Sequence, residues 1–256
     1  MSLPEKRSDS LLPASDGPTR IGLVRVETDP FSCGDSTEPG TRMDERSWEI
    51  ARTLSIVVGE RTPVVERYLQ AFSRAPAAHL ELLASRGMRV MFAPRIVDAY
   101  ASRTANQRRG RQLTASELWD LRINLSERSS VVAVYDGELD LLALPTSYVT
   151  SDLGRAVLHE LGHALTMAAA SPRDELLKHL PPEIDRHVAR STYTGVNART
   201  TMRARVFEAL AESYVYLVVG RAEELPSTLL SELLFILNSV EEDGHIRFSF
   251  ERGFHD

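Results

Sequence analysis

Two histidines and a glutamate at helical spacing are the residues of this chain best able to do chemistry. Residues 156–165 read AVLHELGHAL and contain His159, Glu160 and His163. Residues four apart on an α-helix share one face, so the two imidazoles can each offer a nitrogen to one zinc ion. Glu160 would lie beside that ion and take a proton from water bound to it. The alternative interpretation is two surface or core histidines one turn apart.

A catalytic zinc ion usually has three protein ligands and one open position, so a third ligand must come from elsewhere. Glu208 and Glu212 lie one turn apart in an amphipathic helical pattern over residues 205–219. In one interpretation Glu208 binds zinc and Glu212 supports a ligand. In the other, both acids lie on a solvated face. Five further histidines are also candidates for the third ligand, although each is more often a solvated or satisfied side chain: His79, His179, His187, His245 and His255.

The elements that must position these residues are two strands and a helix. Residues 131–135 and 139–144 are rich in β-forming residues, and Asp136-Gly137 between them predicts a tight hairpin turn. The period then changes to helical over residues 152–169, which places the histidine pair on a helix directly after the hairpin.

Composition limits the classes of function. The chain has 256 residues and a net charge of −6, which does not favour nucleic acid as a partner. Its lone cysteine, Cys33, excludes an intramolecular disulfide and a multi-thiolate zinc site. No run is apolar for long enough to predict a membrane helix, and the first residues lack a signal-peptide pattern. We therefore expect a cytoplasmic protein, or one secreted by a signal-less route.

The segments HELGHAL, residues 159–165, and EALAESYVYL, residues 208–217, resemble a known family. It is that of the anthrax-toxin lethal-factor-like zinc metallopeptidases, which include the Pro-Pro endopeptidases. That family has an HExGHA-type helix, a long spacer and a helix of the form E-x-x-x-E-x-[FY]. Here the spacer between His163 and Glu208 is 44 residues long, and the resemblance covers roughly residues 88–220.

The resemblance implies a role for each site residue. His159, His163 and Glu208 would be the zinc ligands, Glu160 the general base, and Glu212 a residue that supports the ligands. It also implies that an outer strand pairs with an extended peptide, and we expect residues 131–135 in that role.

This sequence departs from the family pattern in one feature. The family usually carries a tyrosine shortly before the ligand glutamate, where it stabilises the oxyanion, but residues 200–202 are Thr, Thr and Met. The nearest upstream tyrosine is Tyr193, which we take as the candidate donor, with His187 as the second choice.

The predicted fold is α+β of the zincin type, with a small sheet packed on the HExxH helix and a second helix supplying the glutamate. Residues 1–45 are predicted to be flexible, residues 46–86 a helical lead-in, and residues 87–256 the zinc metallopeptidase-like domain.

The predicted function is zinc-dependent endopeptidase of peptide or protein substrates. Three alternatives stay open: a catalytically impaired zinc-binding interaction module, which the lack of a well-placed tyrosine motivates; a zinc hydrolase of a non-peptide substrate; and a structural helical protein without metal. Intact Glu160 argues against the first alternative, because a module without catalysis has no need of that acid.

Overall fold

A mixed sheet forms the centre of the protein. A computed structural model describes residues 22–25, 44–101, 131–137, 139–147, 152–168, 182, 186 and 201–244. Its five strands are β1 (Gly22–Arg25), β2 (Ser55–Val57), β3 (Arg89–Ala93), β4 (Val131–Asp136) and β5 (Leu141–Pro145). Their order is β1-β4-β5-β3-β2; β2, β3 and β5 are parallel neighbours, while β4 is antiparallel to both β1 and β5.

Helices cover both faces of this sheet, so the predicted α+β class is confirmed. The α-helices of the described residues are α1 (Glu45–Leu54), α2 (Pro63–Phe72), α3 (Ala77–Ser85), α4 (Ile96–Ala101), α5 (Leu153–Ala168), α6 (Met202–Val218) and α7 (Ser227–Gly244). A short 3₁₀ turn, Ala222–Glu224, joins α6 to α7.

The ends of α6 follow local rules. Thr201 caps its first turn, since the Thr201 side-chain oxygen accepts from the Ala204 N–H at 3.3 Å. The cap explains why α6 begins three residues before the predicted start at residue 205. Gly220, with φ +76°, follows its C-terminal end, where the left-handed backbone favours glycine.

Alternating side chains divide the core between the two faces of the sheet. Val90 and Phe92 of β3 face the larger cluster, which contains residues of α1, α2, α3, α5, α6 and α7. Met91 and Ala93 face the smaller cluster, which α4 covers. Residues 46–86, predicted as a helical lead-in, therefore share one core with α5.

The helical prediction for residues 54–57 is wrong from Ser55 onward. These residues form β2, in which Ile56 pairs with Met91 in parallel register. β-branched residues fit a half-buried strand. The spacing of this segment is ambiguous, so its pairing with the neighbouring β3 determines its conformation.

The predicted hairpin is confirmed, with a wider turn than expected. Val134 pairs with Ala143 and Asp136 with Leu141 in antiparallel register. Four residues, 137–140, separate the two strands, and Asp140 adopts a positive φ of 46°.

Residues 131–135 are not the outer strand that we expected. β1 pairs antiparallel with β4, with Gly22 opposite Tyr135 and Leu23 opposite Val134. An extended peptide can therefore pair with that edge of β4 only after β1 has left it. The rest of the segment predicted to be flexible lies outside the described residues, apart from the start of α1 and its cap Asp44.

None of the helices in the described part of the chain is long and apolar enough to span a bilayer.

Candidate metal centre

The histidine helix α5 is buried along most of its length. Residues 156–166 are all buried, and α5 packs between α2, α6 and the sheet. Most of its side chains are apolar, and their burial on all sides of the helix stabilises it by the hydrophobic effect. Its buried histidines and glutamate must instead be satisfied by each other, by neighbours or by a ligand.

Three potential ligand atoms converge between α5 and α6. The Nε2 atoms of His159 and His163 lie 2.9 Å apart. Oε2 of Glu208 lies 3.5 Å from the first and 3.6 Å from the second. Three ligands of a tetrahedral zinc ion, each at about 2.0–2.1 Å from the metal, lie roughly 3.3 Å from one another. The triangle of atoms is therefore compact enough for one metal ion to contact all three, with Glu208 as the candidate third ligand.

The hydrogen bonding of Glu208 supports the same interpretation. Its Oε2 is buried and has no hydrogen-bond partner among the described residues. Burial alone would raise the pKa of Glu208, but the charge of His163 and the proximity of both imidazoles outweigh it and lower that pKa to about 2. A buried carboxylate oxygen that faces two imidazoles is satisfied by a cation placed between them.

Glu160 links the histidine helix to the sheet. Its Oε2 accepts the backbone N–H of Tyr135 in β4 at 2.7 Å. Its Oε1 is buried and has no hydrogen-bond partner among the described residues. Burial raises the pKa of Glu160 to about 8, against the lowering effects of the His163 charge and the Tyr135 N–H. One oxygen is thus fixed, while the other is available for proton transfer.

Glu212 faces Nδ1 of His159, the ring nitrogen that points away from the cluster. Its Oε2 lies 3.4 Å from His159 Nδ1, and Arg155 donates to its Oε1. Burial alone would raise the pKa of Glu212, but contact with His159 and the charge of Arg155 outweigh it, so the net shift is downward. This position fits the predicted supporting role.

Arg155 is the residue of this site that the sequence analysis missed. It lies one helical turn before His159, just as Glu212 lies one turn after Glu208. That symmetry was a usable signal, because residues four apart share a helix face. On its own it could not show which arginine meets which acid.

Other candidate residues lie elsewhere or outside the described part of the chain. His79 is buried in α3, where its Nδ1 lies 2.9 Å from the Tyr214 hydroxyl. It is therefore not in the ligand cluster. Tyr193 and His187 fall outside the described residues, as do the remaining histidines, so the identity of the oxyanion donor stays a prediction.

Comparison with known proteins does not place this chain in a family. No protein-family model matches it, and no curated protein is significantly similar to it in sequence. The site must therefore be interpreted from its own residues and geometry.

Proposed function

We propose that the protein is a zinc-dependent endopeptidase with a zincin-like catalytic domain. The observation that carries this proposal is the convergence of His159 Nε2, His163 Nε2 and Glu208 Oε2, which all lie within 4.8 Å of one another. Two imidazoles and a carboxylate from two helices form a donor set typical of catalytic zinc, which keeps a fourth position open.

The surrounding fold supports the proposal. α5 carries both histidines, lies against the mixed sheet through β4, and packs along α6, which carries Glu208. This arrangement is the one expected of a zincin-type domain. Glu160, the base in this proposal, lies where the helix meets the sheet.

Glu160 would perform the proton transfers. Bound zinc would supply a water ligand of lowered pKa and a Lewis acid for the substrate carbonyl. Oε1 of Glu160 takes the proton as the water oxygen bonds to the carbonyl carbon, and it returns the proton to the nitrogen as the C–N bond breaks. Burial raises the pKa of Glu160 in the metal-free protein, and the positive charge of bound zinc would oppose that rise. The developing oxyanion requires a further donor, for which Tyr193 is our candidate.

An extended backbone next to the site favours a peptide substrate. β1 lies along β4 and contacts α5, and Gly22 pairs with the same Tyr135 whose N–H holds Glu160. This edge of β4 would therefore pair with an extended chain by strand hydrogen bonding. A substrate peptide would take the place of β1 on that edge.

Metal analysis tests the zinc part of this proposal. We expect purified wild type, reconstituted with zinc, to hold about one equivalent by mass spectrometry, as a single tetrahedral site would. His159→Ala should lose it. His255→Ala, near the end of the chain, is the matched control and should keep it. Equal zinc content in wild type and His159→Ala would refute the site.

A peptide library tests the reaction. Wild type with zinc should cleave peptides, whereas Glu160→Gln should bind zinc equally and cleave nothing, because its amide cannot take a proton. Turnover by Glu160→Gln would remove Glu160 from its role. Zinc binding without cleavage of any peptide by wild type would favour the interaction module or a non-peptide substrate.

A further inference from the structure

We propose that Arg155 is a positioning residue of the metal centre, acting on His159 through Glu212. The inference deepens the proposed function, since it requires the same zinc site. The contact of Arg155 that bears on the metal centre is with the Glu212 carboxylate, which lies behind His159.

The two oxygens of Glu212 have different partners. Arg155 Nη2 donates to Oε1, whereas Oε2 faces His159 Nδ1 at 3.4 Å. The Glu212 side chain is 1% exposed and that of Arg155 is 20% exposed. The ion pair also joins α5 to α6, because Arg155 and Glu212 are 57 positions apart in the chain.

Arg155 would set the plane of the Glu212 carboxylate. Rotation about the last side-chain bond of a glutamate is broad, so its partners determine where each oxygen points. With Oε1 held by the guanidinium, Oε2 is directed at the ring of His159. Without Arg155, the carboxylate would be a buried charge that has lost one of its two compensating partners, and it would be free to turn.

The direction of Oε2 matters for the metal because a histidine has two ring nitrogens. An acceptor at Nδ1 favours the tautomer with its proton there, which leaves the Nε2 lone pair for the metal. Nε2 is the atom that faces His163 and Glu208. The chain Arg155–Glu212–His159 thus orients the ligand ring and selects its tautomer.

A purely structural ion pair is the competing explanation, and a double-mutant cycle separates the two. Zinc affinity of the full-length protein is measured by competition with a chelator for wild type, Arg155→Met, Glu212→Gln and the double variant. Loss of an outer partner of a zinc ligand typically weakens metal binding by roughly 10–100-fold. We expect about that loss in each single variant, and no further loss in the double variant, because Arg155 acts only through Glu212.

Matched controls make the result specific. Arg221→Met removes another arginine–glutamate ion pair, that of Arg221 with Glu224. Both of these side chains are about two-fifths exposed, so the substitution should leave zinc affinity unchanged. The visible spectrum of the Co²⁺-loaded protein reports ligand geometry, and should change in Arg155→Met but not in Arg221→Met. Should Arg155→Met not fold, Arg155→Gln takes its place in the cycle with the same expected loss.

Three outcomes overturn the inference. Arg155→Met or Arg155→Gln with wild-type zinc affinity and a lower melting temperature would show an ion pair that only stabilises the fold. Losses that add in the double variant would show that Arg155 acts independently of Glu212. Absence of zinc binding by wild type would instead refute the proposed function, and this inference with it.

Discussion

Gly162 of the histidine helix lies directly against the backbone of Ala211 in the glutamate helix. A Cβ atom at residue 162 would lie 2.8 Å from both the Cα and the carbonyl oxygen of Ala211, and 3.0 Å from the Tyr214 Cβ. Backbone atoms cannot move aside as the end of a flexible side chain can. Glycine therefore sets the helix separation that brings Glu208 within reach of both histidines.

Gly162→Ala should weaken zinc binding and destabilise the fold. The added methyl group pushes α6 away from α5, and overpacking of this kind costs about 1–3 kcal/mol. Gly154→Ala on the same helix is the control, because its Cβ would meet only the end of the Arg74 side chain, at 3.3 Å. Chemical denaturation and zinc titration measure both effects. Equal behaviour of the two variants would contradict the role of Gly162.

Zinc removal should destabilise the protein. A metal that binds only the folded state at a hundred times its dissociation constant contributes about 2.7 kcal/mol. A chelator should therefore lower the melting temperature of wild type and of Glu223→Gln, whose side chain is exposed. Glu208→Gln should melt at one temperature with and without zinc, because its amide replaces the ligand carboxylate. A zinc-dependent shift of wild-type size in Glu208→Gln would count against this ligand.

The metal-free protein should lose stability with rising pH because of Glu160. Its folded-state pKa of about 8 lies above the ordinary value of 4.5, so the folded state binds more protons than the unfolded state between these values. One pKa unit corresponds to about 1.4 kcal/mol, and the contribution is fully present only below pH ~4.5. Metal-free Glu160→Gln should therefore gain stability over wild type between pH 5 and about 9, as urea unfolding would reveal. A constant difference between the two proteins across that range would refute the shift.

His79 should make the protein sensitive to acid. Burial lowers the His79 pKa from 6.5 to about 4, so the unfolded state binds more protons between these values and stability falls as the pH drops through that window. The loss amounts to about 3 kcal/mol at most. In His79→Gln, the free energy of unfolding measured with urea should depend less on pH between pH 7 and pH 4. Tyr214→Phe, which removes the hydrogen bond but keeps the burial, should retain the slope; an unchanged slope in His79→Gln would exclude His79 as the source.

Local spacing was sufficient for part of this structure. Helical period alone predicts that His159 and His163 share a face, because one turn separates them whatever surrounds the helix. The hairpin of β4 and β5 was likewise readable from two β-rich runs around a turn sequence. The resemblance of two short segments favours Glu208 over other acids and histidines, and the fold brings that glutamate to the two imidazoles.

Other features depended on contacts between distant segments. Residues 55–57 carry an ambiguous pattern, and only pairing with β3 makes them a strand. Likewise, β1 lies on the edge of β4 that we had expected to be free. Nothing within either segment encodes its partner, because any β-forming run can pair with any open edge.

The sequence by itself determined the candidate side chains, since helix geometry places the histidine pair on one face of one helix and the neighbouring acid to the side of that face. Tertiary structure alone decided how closely the second helix approaches at Gly162. It also decided which oxygen of Glu212 accepts from Arg155, and which backbone N–H donates to Glu160. These contacts join residues far apart in the chain, and their geometry follows from packing, which local spacing does not encode.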